Sequence, residues 1–201
     1  MANVDRPNGL RPVRYASGAP YNGACNMYLI PSADATAVFV GDLVKPYTAG
    51  GAAALFVNGI DCGGMPTVIQ AAAGDPATGV VVGFLPDQSN LNAVNYRVAS
   101  TNRIALVADD PTLLFEIQEV SGGTALTAAE VGLNADVVVG SGSTTTGQSG
   151  MELDNATEAA TAGLNLRIVG LVKRPDNEYG EHAKWLVMLM DHSLRAGVAG
   201  V

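Results

Sequence analysis

Apolar and polar positions along the chain follow the periodicity of strands rather than that of helices. Around residue 115, and again around residue 166, apolar side chains fall on every second position. Successive side chains of a strand point to opposite faces, so this alternation predicts strands with one buried face. We expect the side chains of Phe115, Ile117, Leu166 and Ile168 to lie in the core.

Continuous apolar runs of strand length form a second group of predicted elements. They occupy residues 80–85, 104–107, 137–139 and 185–190. Gly, Pro or Asp residues bound these runs, and Asn-Gly dipeptides, which reach positive φ at little steric cost, occur three times in the chain. Strands at this spacing, with turn residues between them, predict an all-β fold of the compact barrel or sandwich type.

Helical signals are few and short. Thr127 and Glu130 have the spacing of a capping box, which predicts one helical turn. Residues 157–162 are a second short helical candidate, which ends at Gly163. Residues 140–150, rich in Gly, Ser and Thr, predict a flexible polar loop. The predicted fold is therefore all-β with one or two short helices.

The first 24 residues differ from the rest of the chain because they hold three prolines and three arginines and show no strand pattern. This composition predicts an extended N-terminal arm over residues 1–24, followed by a single β-rich domain over residues 25–201. We expect the arm to lie along a neighbouring subunit or a surface to which the protein binds, and the domain to fold without residues 2–20; a frayed terminus is the alternative. The residues expected to make the contact are Arg6, Arg11, Arg14 and Tyr21.

The charge balance limits the classes of partner. Eleven Lys and Arg against nineteen Asp and Glu give a net charge of −8 at pH 7. Nucleic-acid-binding proteins normally carry a basic face, so we expect no nucleic acid partner. No apolar run approaches the roughly 18 residues that a membrane helix needs, and the N-terminus lacks the apolar segment of a secretory leader. The composition favours a protein that docks on another protein.

Candidate catalytic and metal-binding residues do not form a recognisable motif. His182 and His192 stand ten residues apart, without the helical spacing of a zinc protease. Cys25 and Cys62 lack the spacing of a metal pair. The Asp-Asp-Pro sequence at 109–111 predicts a turn into the following strand rather than a calcium loop. We therefore expect no catalytic residue, no metal and no cofactor, and a protein that is not an enzyme.

Several segments, in their order along the chain, resemble a group of tailed-bacteriophage virion proteins. The N-terminal segments are NGLRPVR at 8–14, GAPYNG at 18–23 and YLIP at 28–31. The central segments are GDLV at 41–44, IQAAAGD at 69–75 and GVVVGF at 79–84. The later segments are DDP at 109–111 before FEIQ at 115–118, and NEYG at 177–180 before KW at 184–185. Together they resemble the small β-barrels of phage head decoration proteins, also called cement proteins.

The resemblance implies a structural virion protein on the exterior of the capsid, made in the cytoplasm of the bacterial host. Its partners would be the major capsid protein and further copies of itself, with a homotrimer favoured and a homodimer possible. Stabilisation of the head would come from several simultaneous contacts with capsid subunits. Two alternatives stay open: a β-sandwich protein of the phage tail or adsorption apparatus, and a small ligand-binding or enzymatic β-barrel.

Overall fold

The computed structural model describes residues 3–47, 55–88, 90 and 92–195. Fourteen strands and one short 3-10 turn make up the regular structure of these residues, which confirms the all-β prediction. The strands are β1 (Arg11–Tyr15), β2 (Asn26–Ile30), β3 (Leu43–Pro46), β4 (Phe56–Val57), β5 (Ile60–Asp61), β6 (Val68–Gln70), β7 (Gly79–Phe84), β8 (Arg103–Ala108), β9 (Leu113–Gln118), β10 (Asn134–Ala135), β11 (Val137–Val138), β12 (Glu152–Leu153), β13 (Leu166–Leu171) and β14 (Lys184–Leu189).

Five antiparallel strands form a small barrel in the order β2-β8-β7-β3-β6. Its two edge strands meet where the Leu29 amide donates to the Pro66 carbonyl at 3.0 Å, beside a parallel bridge between Leu29 and Thr67. All five strands send side chains into a common interior. Val80 and Ala108, on the opposite side, belong to the largest core cluster, and Ile104 belongs to a third cluster. Burial on both sides explains why the apolar runs of this region are continuous rather than alternating. The interior consists of Tyr28, Ile30, Val38, Val44, Val68, Val81, Phe84, Ala105 and Val107.

A second antiparallel sheet, in the order β1-β9-β14-β13-β10, packs against the outside of the barrel. We call it the open sheet. The largest core cluster lies between the two, with Phe115 and Trp185 of the open sheet meeting Leu43 and Val80 of the barrel. The four side chains predicted to be buried, Phe115, Ile117, Leu166 and Ile168, are at most 1% exposed. The alternation along β9 and β13 therefore identifies the inward face correctly.

The helical predictions are partly right. Thr127 caps a 3-10 turn over Ala128–Glu130, and the Glu130 carboxylate accepts from the Thr127 amide at 2.6 Å, so the capping box is confirmed. The helix predicted at 157–162 is wrong. Ala159 instead exchanges two backbone hydrogen bonds with Asn134, at 2.9 and 2.8 Å, and this pairing holds the segment extended.

The loop predicted to be flexible, at residues 140–150, folds back on itself and is held to the barrel. The Ser143 amide donates to the Gln148 carbonyl at 2.8 Å within the loop. Val40 provides both a donor and an acceptor for it: its amide donates to the Gly147 carbonyl at 3.0 Å, and its carbonyl accepts from the Ser149 amide at 2.8 Å. The composition of the loop gave no sign of this distant partner.

The prediction that residues 1–24 contain no strand is wrong. Residues 11–15 form β1, the edge strand of the open sheet, which pairs with β9 around a bulge between Pro12 and Arg14. Leu10 is 1% exposed and belongs to the largest core cluster. The bulge and the proline break the alternation that would reveal an edge strand in the sequence. Contact of residues 1–24 with a neighbour stays a prediction, as do the domain limits; residues 1–2, 48–54, 89, 91 and 196–201 lie outside the described residues.

The structure changes the expected effect of truncating the N-terminus. Deleting residues 2–8 removes mainly exposed contacts, so we expect the free energy of unfolding to fall by less than about 1 kcal/mol. Deleting residues 2–20 also removes β1 and the buried Leu10, so we expect a loss of at least about 3 kcal/mol. Urea denaturation of the two deletion proteins measures both values. Equal stability of the two would show that β1 does not contribute to the fold.

The segment after β14 returns to the barrel and carries a buried histidine. The Ala77 amide donates to the Asp191 carbonyl at 2.6 Å, and the Ser193 amide donates to the Ala77 carbonyl at 2.7 Å. Between these bonds the side chain of His192 is fully buried, and its Nδ1 accepts from the Leu194 amide at 3.2 Å. Burial lowers the pKa of His192 below its ordinary value of 6.5, so the folded protein holds this imidazole neutral.

The lowered pKa of His192 predicts a loss of stability in mild acid. Below pH 6.5 His192 is protonated in the unfolded chain but stays neutral in the folded chain. The free energy of unfolding therefore falls as the pH decreases towards the folded-state pKa. The contribution is at most about 1.4 kcal/mol per pH unit. We expect His192→Asn to show a shallower fall of the free energy of unfolding between pH 7 and 5 than the unaltered protein, measured by urea denaturation. An unchanged slope in His192→Asn would contradict this assignment.

Candidate protein-binding face

The face of the open sheet that points away from the barrel carries cations beside apolar side chains. Cα partners in neighbouring antiparallel strands project to the same side of a sheet. Phe115 and its partner Val187 point into the core, so the rows of residues before and after them point outward. One outward row consists of Arg14, Leu114, Met188 and Arg167, and the other of Arg11, Glu116 and Leu186.

Two more cations extend this surface. Lys184 lies one outward row beyond Leu186, paired with Gln118. Arg174 reaches the sheet from the loop after β13, and its Nη1 donates to both carboxylate oxygens of Glu116 at 3.2 Å. The Arg174 Nε also lies 3.4 Å from Asp176. We call the two rows together with Arg174, Asp176 and Lys184 the basic face.

Three arginines of the basic face carry uncompensated charge. Within the described ranges, the ion pairs do not include Arg11, Arg14 or Arg167. Arg11 and Arg14 are exposed, and Arg167 is half-buried with its Nε donating to the Asn134 side chain at 2.9 Å. Exposed cations beside partly exposed apolar groups are typical of protein-binding surfaces.

The basic face is positively charged, although the chain as a whole is acidic. It holds five of the eleven cations and only two of the nineteen acidic residues, Glu116 and Asp176, a net charge of +3. The remaining six cations and seventeen acidic residues leave −11 on the rest of the chain. The sequence shows only a scattered set of positive charges, because the five cations come from four segments that the sheet brings together.

The four residues predicted to make subunit contacts occupy three different environments. Arg11 and Arg14 lie on the basic face. The backbone of Arg6 lies at one end of that face, where its amide donates to Gln118 Oε1 at 2.9 Å. Tyr21 lies on the opposite side of β1, half-buried against the core, and its hydroxyl donates to the Ala24 carbonyl at 2.8 Å. Tyr21 therefore packs on the core, and burial raises the pKa of its hydroxyl; its contact with a neighbour stays a prediction.

A polar cluster at the end of the basic face contains groups capable of binding a metal. Asp5, Glu152 and His182 bring one ligand atom each to within 4.8 Å of one another. The amide nitrogen of Gln118 stands between them, donating to Asp5 and Glu152 at 2.9 Å and lying 3.4 Å from His182 Nδ1. Gln118 thus takes the central position and satisfies the two carboxylates. The prediction of no metal stays a prediction.

Burial shifts the proton equilibria of the two side chains that flank Gln118. The pKa of Glu152 is raised, chiefly by burial, and the pKa of Lys184 is lowered by burial. Lys184 Nζ donates to Gln118 Oε1 at 3.1 Å, so the Gln118 amide is bound on both sides. The N-terminal segment is fixed at this point, because Asn3 also donates to the carbonyls of Glu178 and Glu181 at 2.9 and 3.0 Å.

The acidic pair singled out in the sequence has a structural role in this fold. Asp110 accepts from the Thr112 amide at 2.7 Å, which builds the predicted turn into β9. Asp109 accepts from Asn26 and, at 2.7 Å, from the Tyr28 hydroxyl. These contacts join the end of β8 to β2. Burial raises the pKa of Tyr28, so its hydroxyl stays protonated and donates.

Comparisons with protein-family models, with curated protein sequences and with solved structures find no match for this chain. In the described part of the chain, no helix has the length and apolar content needed to cross a bilayer.

Proposed function

We propose that this chain is a structural virion protein that binds the outside of a tailed-phage head and stabilises it by bridging capsid subunits. The observation that carries the proposal is the basic face, on which three arginines have no ion-pair partner among the described residues and lie beside the partly exposed side chains of Leu186 and Met188. The sequence segments that resemble phage head decoration proteins supply the identity of the partner, the major capsid protein.

The physical basis of such a role is multivalency. An exposed ion pair contributes at most about 1 kcal/mol, so one small contact is weak. An oligomer that places several basic faces on one head gains affinity because each further contact forms within the same complex. A homotrimer or homodimer centred on a local symmetry axis would present its faces to equivalent capsid subunits.

The test compares phage particles with and without the gene for this chain. We expect cryo-electron microscopy of the deletion particles to lack a density on the outer surface of the head, and we expect added purified protein to restore it. Heads without the protein should release DNA at a lower temperature than complete heads.

The same preparations discriminate the alternative functions. Density missing from the tail or its tip, with heads unchanged, would assign the protein to the tail or adsorption apparatus. Particles identical in both preparations would contradict a structural role in the virion.

A further inference from the structure

We infer that the basic face binds an acidic protein surface with an apolar centre, contributed by a protein other than this chain. The inference rests on the proposed function and deepens it by stating the chemistry of the capsid surface that is recognised. Its basis is the cross-strand row that places two unpaired arginines on either side of Leu114 and Met188.

The row sets the spacing of the partner's carboxylates. Arg14 on β1 and Arg167 on β13 are separated by β9 and β14, three strand-to-strand steps. At about 4.8 Å a step, their Cα atoms stand about 14 Å apart. Arginine pairs with carboxylates through parallel hydrogen bonds, so the partner needs two carboxylates at a similar spacing. Met188, which is partly exposed, then packs on an apolar group between them, whereas Leu114 is only 5% exposed.

The charge distribution argues against other occupants. Two copies of this chain cannot stack basic face on basic face, because the unpaired arginines would oppose each other. A second copy that docks through its acidic remainder, which carries −11, is the outcome that sedimentation velocity tests. A nucleic acid would be repelled by the charge of −11 on the rest of the chain, and its phosphates would gain nothing from the apolar centre of the row.

A short peptide reproduces the proposed partner chemistry. In an extended chain residues i, i+2 and i+4 share one face and span about 13 Å. A peptide with the sequence Glu-Thr-Leu-Thr-Glu therefore presents two carboxylates on either side of one leucine. The matched control is Lys-Thr-Leu-Thr-Lys, which has the same length and the same apolar centre.

The experiment titrates the ¹⁵N-labelled full chain with each peptide and follows the backbone amides by NMR. We expect the glutamate peptide to shift amides of β1, β9, β14 and β13, and the lysine peptide to leave them unchanged. Arg14→Glu should weaken the binding of the glutamate peptide about tenfold or more. Arg11→Glu is a second variant on the same face. Arg195→Glu makes the same charge change at an exposed arginine outside the face and should bind as the unaltered protein does.

Several results would overturn the inference. These are equal shifts with both peptides, shifts confined to other strands, and binding that Arg14→Glu leaves intact. Displacement of the bound glutamate peptide by duplex DNA would assign the face to nucleic acid. An oligomer that Arg14→Glu converts to monomers in sedimentation velocity would show that a second copy occupies the face.

The proposed function can fail separately from this inference. If unaltered protein does not bind heads purified from deletion particles, the capsid role is contradicted, whereas the peptide result still describes the face. If unaltered protein and Arg14→Glu bind those heads equally, the capsid role stands and the basic face is not the docking surface.

Discussion

Replacing Arg97 with alanine is expected to lower the free energy of unfolding by about 3–5 kcal/mol, one of the two largest effects of any substitution considered for this protein. Arg97 is fully buried, and its guanidinium binds the segment over residues 31–36 to its own loop. Its Nη2 donates to the carbonyls of Pro31 and Asp34 at 2.6 and 2.7 Å, and its Nε donates to that of Thr101 at 2.8 Å.

The remaining nitrogen of the Arg97 guanidinium, Nη1, also has partners. Its Nη1 donates to the Thr36 carbonyl and lies 3.3 Å from the Asp34 carboxylate, an ion pair away from solvent. Truncation leaves these part-buried acceptors without their donors and the Asp34 charge without its partner. Lysine keeps the charge but not the planar arrangement of donors, so Arg97→Lys should recover only part of the stability.

Urea denaturation of Arg97→Ala, Arg97→Lys and Arg195→Ala measures this effect. Arg195 is exposed, and we expect its replacement to leave the unfolding midpoint nearly unchanged. A midpoint for Arg97→Ala equal to that of Arg195→Ala would mean that Arg97 does not hold the two segments together.

The second large effect is expected at Glu119, directly after β9. This carboxylate is fully buried and accepts from three donors: the Leu126 amide at 2.8 Å, Asn155 Nδ2 at 3.1 Å and Trp185 Nε1 at 2.8 Å. Glu119→Ala removes the acceptor of all three donors, of which Asn155 Nδ2 keeps its other bond, to the Val120 carbonyl at 3.1 Å. At about 1–3 kcal/mol for each, we expect a total loss of about 4 kcal/mol after partial relaxation.

Two further variants test whether the loss of stability comes from the hydrogen bonds of Glu119 rather than from any substitution in this region. Glu119→Gln keeps the shape of the side chain, but its amide must face a donor, so we expect an intermediate loss of stability. Glu181→Ala changes an exposed glutamate and should be nearly neutral. The fluorescence of Trp185, the single tryptophan, follows unfolding directly. Its emission maximum should shift in the folded state of Glu119→Ala. Stability equal to that of Glu181→Ala would contradict the role of Glu119.

The strands were predictable because their signals are local. Alternation around Phe115 and the continuous run that became β14 depend only on neighbouring residues, and the capping box of Thr127 and Glu130 lies within four residues. Predictions failed where a distant partner decides the local structure. Residues 157–162 have helical composition, yet their pairing with Asn134 makes them extended. β1 has little strand pattern, yet β9 provides it with an edge.

The candidate site was found only in part for the same reason. Arg11 and Arg14 were singled out because they lie in one short basic segment, whereas nothing near Arg167 in the sequence connects it to them. Met188 and Leu114 belong to strands whose other faces form the core, so their outward positions depend on the pairing partners. His182 meets Asp5 and Glu152 through three separate segments, a meeting that no spacing rule along the chain anticipates.

The amino-acid sequence by itself determined the all-β class, the inward face of β9 and β13, the capped turn and the overall acidity, because propensity, alternation and charge depend on residues close in the chain. The tertiary structure alone decided the closure of the barrel at Leu29, the burial of Arg97 and Glu119, and the rows of the basic face. These features depend on register between strands distant in sequence. A shift of one residue turns every side chain of a strand to the other face, so the three unpaired arginines share a surface only in the register that the packed core selects.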